Sequence, residues 1–261
     1  MSSTGLKVSD LPQVDGATPV PAHLRGAVLL LGNFDGMHRG HRALLQEGRD
    51  LAGGAPLAIM CADPHPRAFF DPELPPMRLS CAAARRRLFA EAGFDYVFAP
   101  RFDAAFAGQE PADFVHDLLV ARLGVSAVIC GDDFRFGRRR SGDAALLDRM
   151  GRENGFGLRA VAEVQDAGRR ISSSFIRALV ARGDIAGAVH LLGGPWLTPV
   201  RPWGLDCFRF EDEQMLPPAG AYHARALDAE GHLLSEGEIT LDHARQVRAA
   251  LPRDTRFLSW T

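Results

Sequence analysis

An α/β fold, a parallel sheet covered on both faces and followed by a small β-containing C-terminal appendage, is what this sequence predicts. Three observations carry the expectation. From Ala27 to Gly194 short β-rich runs alternate with helical stretches, residues that start and stop helices stand at the joints, and after Pro195 the alternation lapses into sparse apolar runs. The 261 residues, 46% of them apolar, suffice for one large core and a small second element.

Strands are expected over Val28–Leu31, Leu57–Cys61, Tyr96–Phe98, Val125–Cys130 and Leu158–Val161. Helices are expected over Arg39–Leu51, Cys81–Ala92, Pro111–Leu123, Ala144–Asn154, Ser173–Arg182 and Ile185–Leu192. Ser80 and Asp143 stand at N-cap positions, Pro111 at a first helical position, and Gly93, Gly124 and Gly183 just past helix ends. Strands separated by single helices pair in parallel and bind ligands at their carboxyl ends. Residues 1–26 read as a flexible polar leader, 27–194 as the main domain and 195–261 as the appendage. Within the appendage Ala221–Leu227 alternates loosely, Ile239–Leu241 is a short apolar run, Asp242–Ala250 reads as a helix, and Phe257-Leu-Ser-Trp260 reads as exposed.

Composition removes several chemistries. The formal charge of -2, with acidic and basic residues interspersed, supplies no field to gather nucleic acid or an anionic membrane. Among 30 basic residues only Lys7 is a lysine, and it lies in the leader. That excludes a P-loop, Schiff-base chemistry and self-adenylylation on lysine. Phosphate must then be met by arginine, histidine, backbone N–H groups or a metal. Cys61, Cys81, Cys130 and Cys207 show no paired ligand spacing and sit mostly in apolar runs, the pattern of reduced cysteines in a cytoplasmic protein. No stretch approaches the roughly 18 apolar residues of a membrane span, and the leader lacks a signal-peptide core.

Two constellations carry chemistry. The first strand runs into Gly32-Asn-Phe-Asp-Gly-Met-His-Arg-Gly-His41, a glycine-bracketed loop opening a helix, which is a natural anion site. His38 and His41, three apart, can face one bound group, and Gly40 lets a ligand approach the backbone closely. Imidazoles there suit a phosphate that gains charge in a transition state. The other readings of the pair are a metal site, for which no third ligand stands nearby, or two solvated histidines. The second constellation, Ile171-Ser-Ser-Ser-Phe-Ile-Arg177, precedes a helix. One hydroxyl can cap it while the others and the free N–H groups bind an anion, with Arg177 one turn in. Taken alone it is an ordinary N-cap.

These motifs resemble the nucleotidyltransferase superfamily, with its Rossmann-like sheet. More narrowly, Gly32–His41, Asp63-Pro-His-Pro66, Gly131-Asp-Asp-Phe-Arg-Phe-Gly137 and Leu191-Leu-Gly-Gly-Pro-Trp196 are similar, in order, to the adenylyltransferase half of bacterial bifunctional riboflavin kinase/FAD synthetase. The resemblance implies that His38, His41 and Arg177 are catalytic, acting on the ATP phosphates. Gly32, Asn33, Phe34, Asp35, Gly40, Ser172 and Ser173 would line the ATP pocket. Asp63, Pro64, His65, Pro66, Asp133, Phe134 and Phe136 would hold the flavin. ATP and FMN would be the substrates, with magnesium bridging phosphates, although no carboxylate cluster in the sequence identifies its ligands. A flavoprotein or a separate riboflavin kinase would be the protein partner.

Departures accompany the matches. The family has Thr-Arg where Ser174-Phe175 stands, and a Phe where Ala62 stands. The kinase half should carry Gly-Phe-Pro-Thr-Ala-Asn after the Leu-Gly-x-Pro-aromatic boundary, and here only Leu216-Pro-Pro-Ala-Gly-Ala-Tyr222 is similar to that half. The expectation is therefore an FMN adenylyltransferase without kinase activity, residues 195–261 being a shortened kinase-like remnant. Its rivals are a non-catalytic flavin or nucleotide binder and a transferase for another phosphorylated acceptor. Arg85-Arg-Arg87 reads as a solvated helix face and Arg138-Arg-Arg140 as a loop able to attract a nucleotide.

Overall fold

The parallel sheet that the sequence predicts has six strands, one more than the five expected. The computed structural model describes residues 11–204 and 207–261, so Lys7 lies outside the described residues. In chain order the elements of the sheet and its cover are β1 (Gln13–Val14), β2 (Val28–Leu30), α1 (Arg39–Ala52), β3 (Leu57–Met60), α2 (Pro66–Phe70), α3 (Ala82–Glu91) and β4 (Tyr96–Phe98). There follow α4 (Ala104–Ala107), α5 (Pro111–Asp113), β5 (Ala127–Gly131), β6 (Arg135–Phe136), β7 (Gly142–Asp143), α6 (Ala144–Asn154) and β8 (Gly157–Val161). The sheet order is β1-β4-β3-β2-β5-β8, with Val28 opposite Leu57 on one side and Ala127 on the other. The chain steps from β2 through β3 to β4, then returns to the far side of β2 for β5. The loops after β2, β3 and β5 thus open at the edge where such sheets bind ligands.

Burial explains why these runs are strands. Every residue of β2, β3 and β4 is buried, as both faces of a covered parallel sheet require. The edge strand β8 is largely exposed. Residues 11–26, expected as a leader, contribute β1, which pairs with β4, and bury Leu11, Val20 and Leu24. Their polar composition hid these three anchors.

The helix expected over Pro111–Leu123 begins as α5 and continues from Phe114 to Leu123 with π-type bonding, ending at Gly124 in the left-handed region. Phe114, Val115, Leu118, Leu119 and Leu123 are its buried residues. At about 100° per residue these five would spread over half the helix circumference, and the wider π turn gathers them onto a narrower stripe. Asp143 caps α6 as expected, its carboxylate accepting from Leu146 N–H at 2.9 Å. Ser80 does not cap α3. Arg85 N–H reaches the Cys81 carbonyl, which puts Cys81 at the cap, and the Ser80 hydroxyl is used elsewhere.

The chain divides into two compact units, the first ending with Val164 and holding the parallel sheet, the second made of Asp35–Arg39, Pro75–Leu88 and everything from Gln165 on. The second unit contains a hairpin, β9 (Gln165–Asp166) with β10 (Arg169–Arg170), the helices α7 (Ser173–Ala181) and α8 (Ile185–Leu192), and a six-stranded antiparallel barrel. The barrel strands are β11 (Trp196–Pro202), β12 (Cys207–Phe210), β13 (Gly220–Leu227), β14 (Leu233–Leu241), β15 (Gln246–Arg248) and β16 (Phe257–Trp260), closed in the order β11-β12-β15-β14-β13-β16. Closure removes the sheet edges that so short a segment could not otherwise cover.

Two expectations fail in the barrel. Asp242–Ala250 is not a helix. The Asp242 carboxylate accepts from Gln246 N–H at 2.9 Å, and Arg245 takes φ 62°, so the segment turns and becomes β15. Phe257–Trp260 is not exposed either, because β16 lies between β11 and β13 and all four of its residues are buried. Trp260 packs on Trp196, Tyr222 and Phe210 with ring centroids 5.3, 5.5 and 6.1 Å away. These rings fill the barrel.

Candidate active site

The loop after β2 is built from unusual backbone. Phe34, Gly36 and Met37 all have positive φ. Gly36 is needed twice over: at φ 94° a side chain is strained, and a Cβ would meet Leu192 at 3.0 Å and Leu79 at 3.3 Å. Non-glycine residues held in this region mark a loop that its surroundings over-determine, a common state at binding sites.

Asp35 is the hub of the second unit. Its side chain is fully buried, and both oxygens are taken by protein donors. Oδ1 accepts from Ser80 N–H at 2.9 Å and Ser80 Oγ at 3.3 Å, while Oδ2 accepts from Leu79 N–H at 3.0 Å and Arg177 Nη2 at 2.7 Å. Burial alone would push this carboxyl up, but the Arg177 guanidinium and the two amides outweigh it and hold it below the usual carboxylate range. Arg177 also donates from Nε to the Met77 carbonyl at 2.7 Å. His38 lies in the same unit and is buried. Burial lowers its pKa to about 4 against the opposing pull of Asp35, so the imidazole is neutral at pH 7.

The serine run behaves as a helix start. Ser172 caps α7, its Oγ accepting from Phe175 N–H at 3.2 Å, and Ser173 Oγ donates to the Asp35 carbonyl at 2.9 Å. The N-terminus of α7 is thereby tied to the Asp35 loop, and its dipole offers an anion site there. Phe175, the departure from the family pattern, carries the Arg169 guanidinium over its ring at 4.7 Å. A cation is therefore kept beside this helix turn by another route. Arg39, between the two motif histidines, pairs with Asp166, which also receives His190 at 3.1 Å.

The first unit holds a cavity of about 740 Å³ at the carboxyl ends of the strands. Gly32 and Asn33 from the loop after β2, Pro66 at the start of α2, and Asp133, Phe134 and Phe136 after β5 all line it. Arg139 and Arg140, from the run read as able to attract a nucleotide, line it too, together with residues that sequence reasoning missed, among them Phe70, Phe102, Phe106 and Arg67. The signal available was the cluster of Phe102 and Phe106 about the start of α4, but apolar residues so spaced ordinarily mean core. Phe34 packs on the His41 ring at 4.8 Å and so fixes the second motif histidine in this unit.

Several expected site residues serve the scaffold. Phe34 and Asp35 are fully buried and are not among the residues lining this cavity; one packs on His41 and the other has both carboxylate oxygens taken by protein donors. His65 caps α2, its Nδ1 accepting from Arg67 N–H at 3.1 Å, and is buried. Asp63 and Pro64 are exposed; Asp63 accepts from Phe102 N–H at 2.8 Å through its carbonyl and joins Pro64 by a cis peptide. Gly40 is buried in the first turn of α1.

For magnesium the donor set is poor. Among the described residues the grouping of His, Cys, Asp or Glu side chains close enough to share an ion is Asp228, Glu230 and His232, on the β13–β14 turn. Asp35 has both oxygens engaged. Among the described residues the side chains at the motif loops do not form a magnesium cage. No helix among the described residues is long and apolar enough to cross a membrane.

Comparison with known proteins places this architecture. The family model described as FAD synthetase matches residues 20–175. The bifunctional riboflavin kinase/FMN adenylyltransferase of Escherichia coli (strain K12) is 43% identical over 175 residues, which cover 66% of this chain and 55% of that protein. An FAD synthetase of Listeria monocytogenes is 31% identical over 201 residues, covering 76% of this chain and 80% of that protein. The chain thus spans about half the length of the E. coli relative. The crystal structure of a macrolide-efflux protein from Streptococcus pneumoniae shares the fold, with a TM-score of 0.79 at 20% identity over 96% of this chain and 89% of that one. With its motif loops at the carboxyl ends of a parallel sheet and the family match running across them, the chain belongs to the FAD synthetase family.

Proposed function

We propose that this protein transfers AMP from ATP to FMN, giving FAD and pyrophosphate. An FMN phosphate oxygen attacks the α-phosphorus in line, a new P–O bond forms, and the bond to the β-phosphate bridging oxygen breaks. No protein nucleophile takes part, in keeping with a chain whose one lysine is Lys7. The work left to the protein is positioning and charge stabilisation.

The observation that carries the reading is the aromatic cavity of the first unit. Its volume suits a tricyclic ring, its walls combine six phenylalanines with four arginines, and the family's motif residues Asn33, Pro66, Asp133, Phe134 and Phe136 line it. His38 and His41 act on the ATP phosphates. A neutral His38 can donate one N–H to an oxygen gaining charge without first neutralising it. Ser172, Ser173 and the N-terminus of α7 receive the outer phosphates. Arg177, with Nε and Nη2 committed to Met77 and Asp35, is a positioning residue.

We infer further that the chain does not phosphorylate riboflavin, since the Gly-Phe-Pro-Thr-Ala-Asn segment of the kinase half is missing after Trp196. Magnesium would arrive on ATP. A cytoplasmic location, and a separate riboflavin kinase or a flavoprotein as partner, complete the proposal. Purified protein with ATP, magnesium and either FMN or riboflavin tests it: FAD appears from FMN, and riboflavin is unchanged. FMN formed from riboflavin would overturn the kinase statement. Saturable FMN binding with no product over long incubation would make the protein a binder instead.

A further inference from the structure

We propose that Gln214, on the barrel loop between β12 and β13, is a positioning residue for AMP transfer, and that the barrel sets the geometry of Asp35 through the peptide groups of segment 77–80. The proposal rests on the transferase reading above.

The observation is a relay through two peptide planes. The peptide joining Arg78 to Leu79 presents its oxygen to the barrel loop, where it accepts from Gln214 Nε2 at 3.0 Å and Met215 N–H at 2.8 Å. Its N–H, on the opposite side of the plane, donates to Asp35 Oδ2 at 3.0 Å. The peptide joining Leu79 to Ser80 repeats the arrangement. Its oxygen accepts from Trp196 Nε1 at 2.6 Å and Gln214 Nε2 at 3.3 Å, and its N–H donates to Asp35 Oδ1 at 2.9 Å. Because a trans peptide is planar, with C=O and N–H opposed, fixing each oxygen aims each N–H. Donors on the oxygen also polarise the plane and strengthen the N–H bond to the carboxylate.

Gln214 is the shared element. It is fully buried, and its Nε2 faces three carbonyl oxygens, those of Arg78, Leu79 and Met215. A hydrogen-bond donor is required there, since a carboxylate oxygen would meet three acceptors. The loop itself is held from behind by Arg245, which donates to the Gln214 carbonyl. Arg78 N–H donates to the Glu213 carbonyl at 3.0 Å, so the segment is clamped on its barrel side along its length. From Asp35 the relay continues to Arg177, and the Asp35 charge is felt by His38. Barrel residues thus set where the carboxylate sits, three residues from His38 on the same loop.

The test uses the full chain with Gln214→Glu, which keeps the volume and removes the donor. Trp196→Phe, which removes one indole N–H without adding charge, guards against a Gln214→Glu chain that does not fold. Arg225→Ala, on an exposed ion pair of the barrel, is the control. Amide hydrogen exchange over 77–80, kcat, and KM for FMN and ATP are measured at matched folded fractions. Exchange at Leu79 and Ser80 should quicken in both variants. The kcat for Gln214→Glu should fall by about 100-fold, the scale of loss from a small misplacement of a reacting geometry, with KM for FMN unchanged. The control should behave as wild type. Unchanged exchange, an unchanged kcat, or a kcat loss matched by a rise in FMN KM would overturn the proposal. Should the wild-type chain make no FAD, the transferase reading fails, and the exchange measurement alone decides whether the relay exists.

Discussion

Arg177 and Asp35 meet at 2.7 Å in surroundings where the arginine is 9% exposed and the aspartate not at all. Such a pair adds little by itself, because desolvation offsets its attraction, but breaking it leaves a charge buried alone. Arg177→Met should therefore destabilise the chain by about 3–5 kcal/mol in urea unfolding, and Asp35→Asn combined with it should recover part of the loss. Additive losses in the double variant would show that the two residues are not coupled.

His38→Gln should leave the fold intact, since the imidazole is neutral where it is buried, while kcat drops by about 10²–10³-fold, the usual effect of deleting one donor to a developing oxyanion. Near-normal turnover with an unchanged unfolding midpoint would remove His38 from the mechanism.

Stability should depend on pH in a specific window. The folded His38 pKa lies at about 4 against 6.5 when unfolded, so between these values the unfolded chain binds the additional proton. The contribution is whole above pH 6.5 and is lost as pH falls toward 4, amounting to up to about 3 kcal/mol. Asp35, held below 3.8, keeps its contribution above that pH and loses it only on further acidification. Urea unfolding at pH 7.5 and pH 5 should show a larger drop for wild type than for His38→Gln. Equal drops would mean that His38 is not buried neutral.

Phe70 is 70% exposed yet lines the cavity, so its truncation costs little stability. Phe70→Ala should raise KM for FMN by about 2- to 10-fold, the worth of one aromatic contact, with KM for ATP unchanged. A change confined to ATP would place the flavin elsewhere.

Much of this molecule was legible in the sequence wherever local signals agreed with tertiary demands. β2, β3, β4, β5 and β8 fall within two residues of their expected ends, and α6 and α8 match residue for residue, because apolar runs, Asp143 and left-handed glycines mark them. The barrel was not legible. Its strand pairing joins Trp196 to Trp260, and no local pattern announces a partner so distant in sequence. At the site, residue types showed where chemistry resides, but not which side chains face ligand. Asp35 reads as a pocket residue until the amides of Leu79 and Ser80 are seen around it, and those come from a loop whose sequence, Met77-Arg-Leu-Ser80, carries no motif.

The fate of the ATP phosphates tests nucleotidyl transfer most directly. With FMN as acceptor, label in the α-phosphate should enter the flavin product as FAD, and label in the γ-phosphate should leave as pyrophosphate. Label from the γ-phosphate in a flavin, or α-label retained in ADP or AMP with no flavin labelled, would contradict the account.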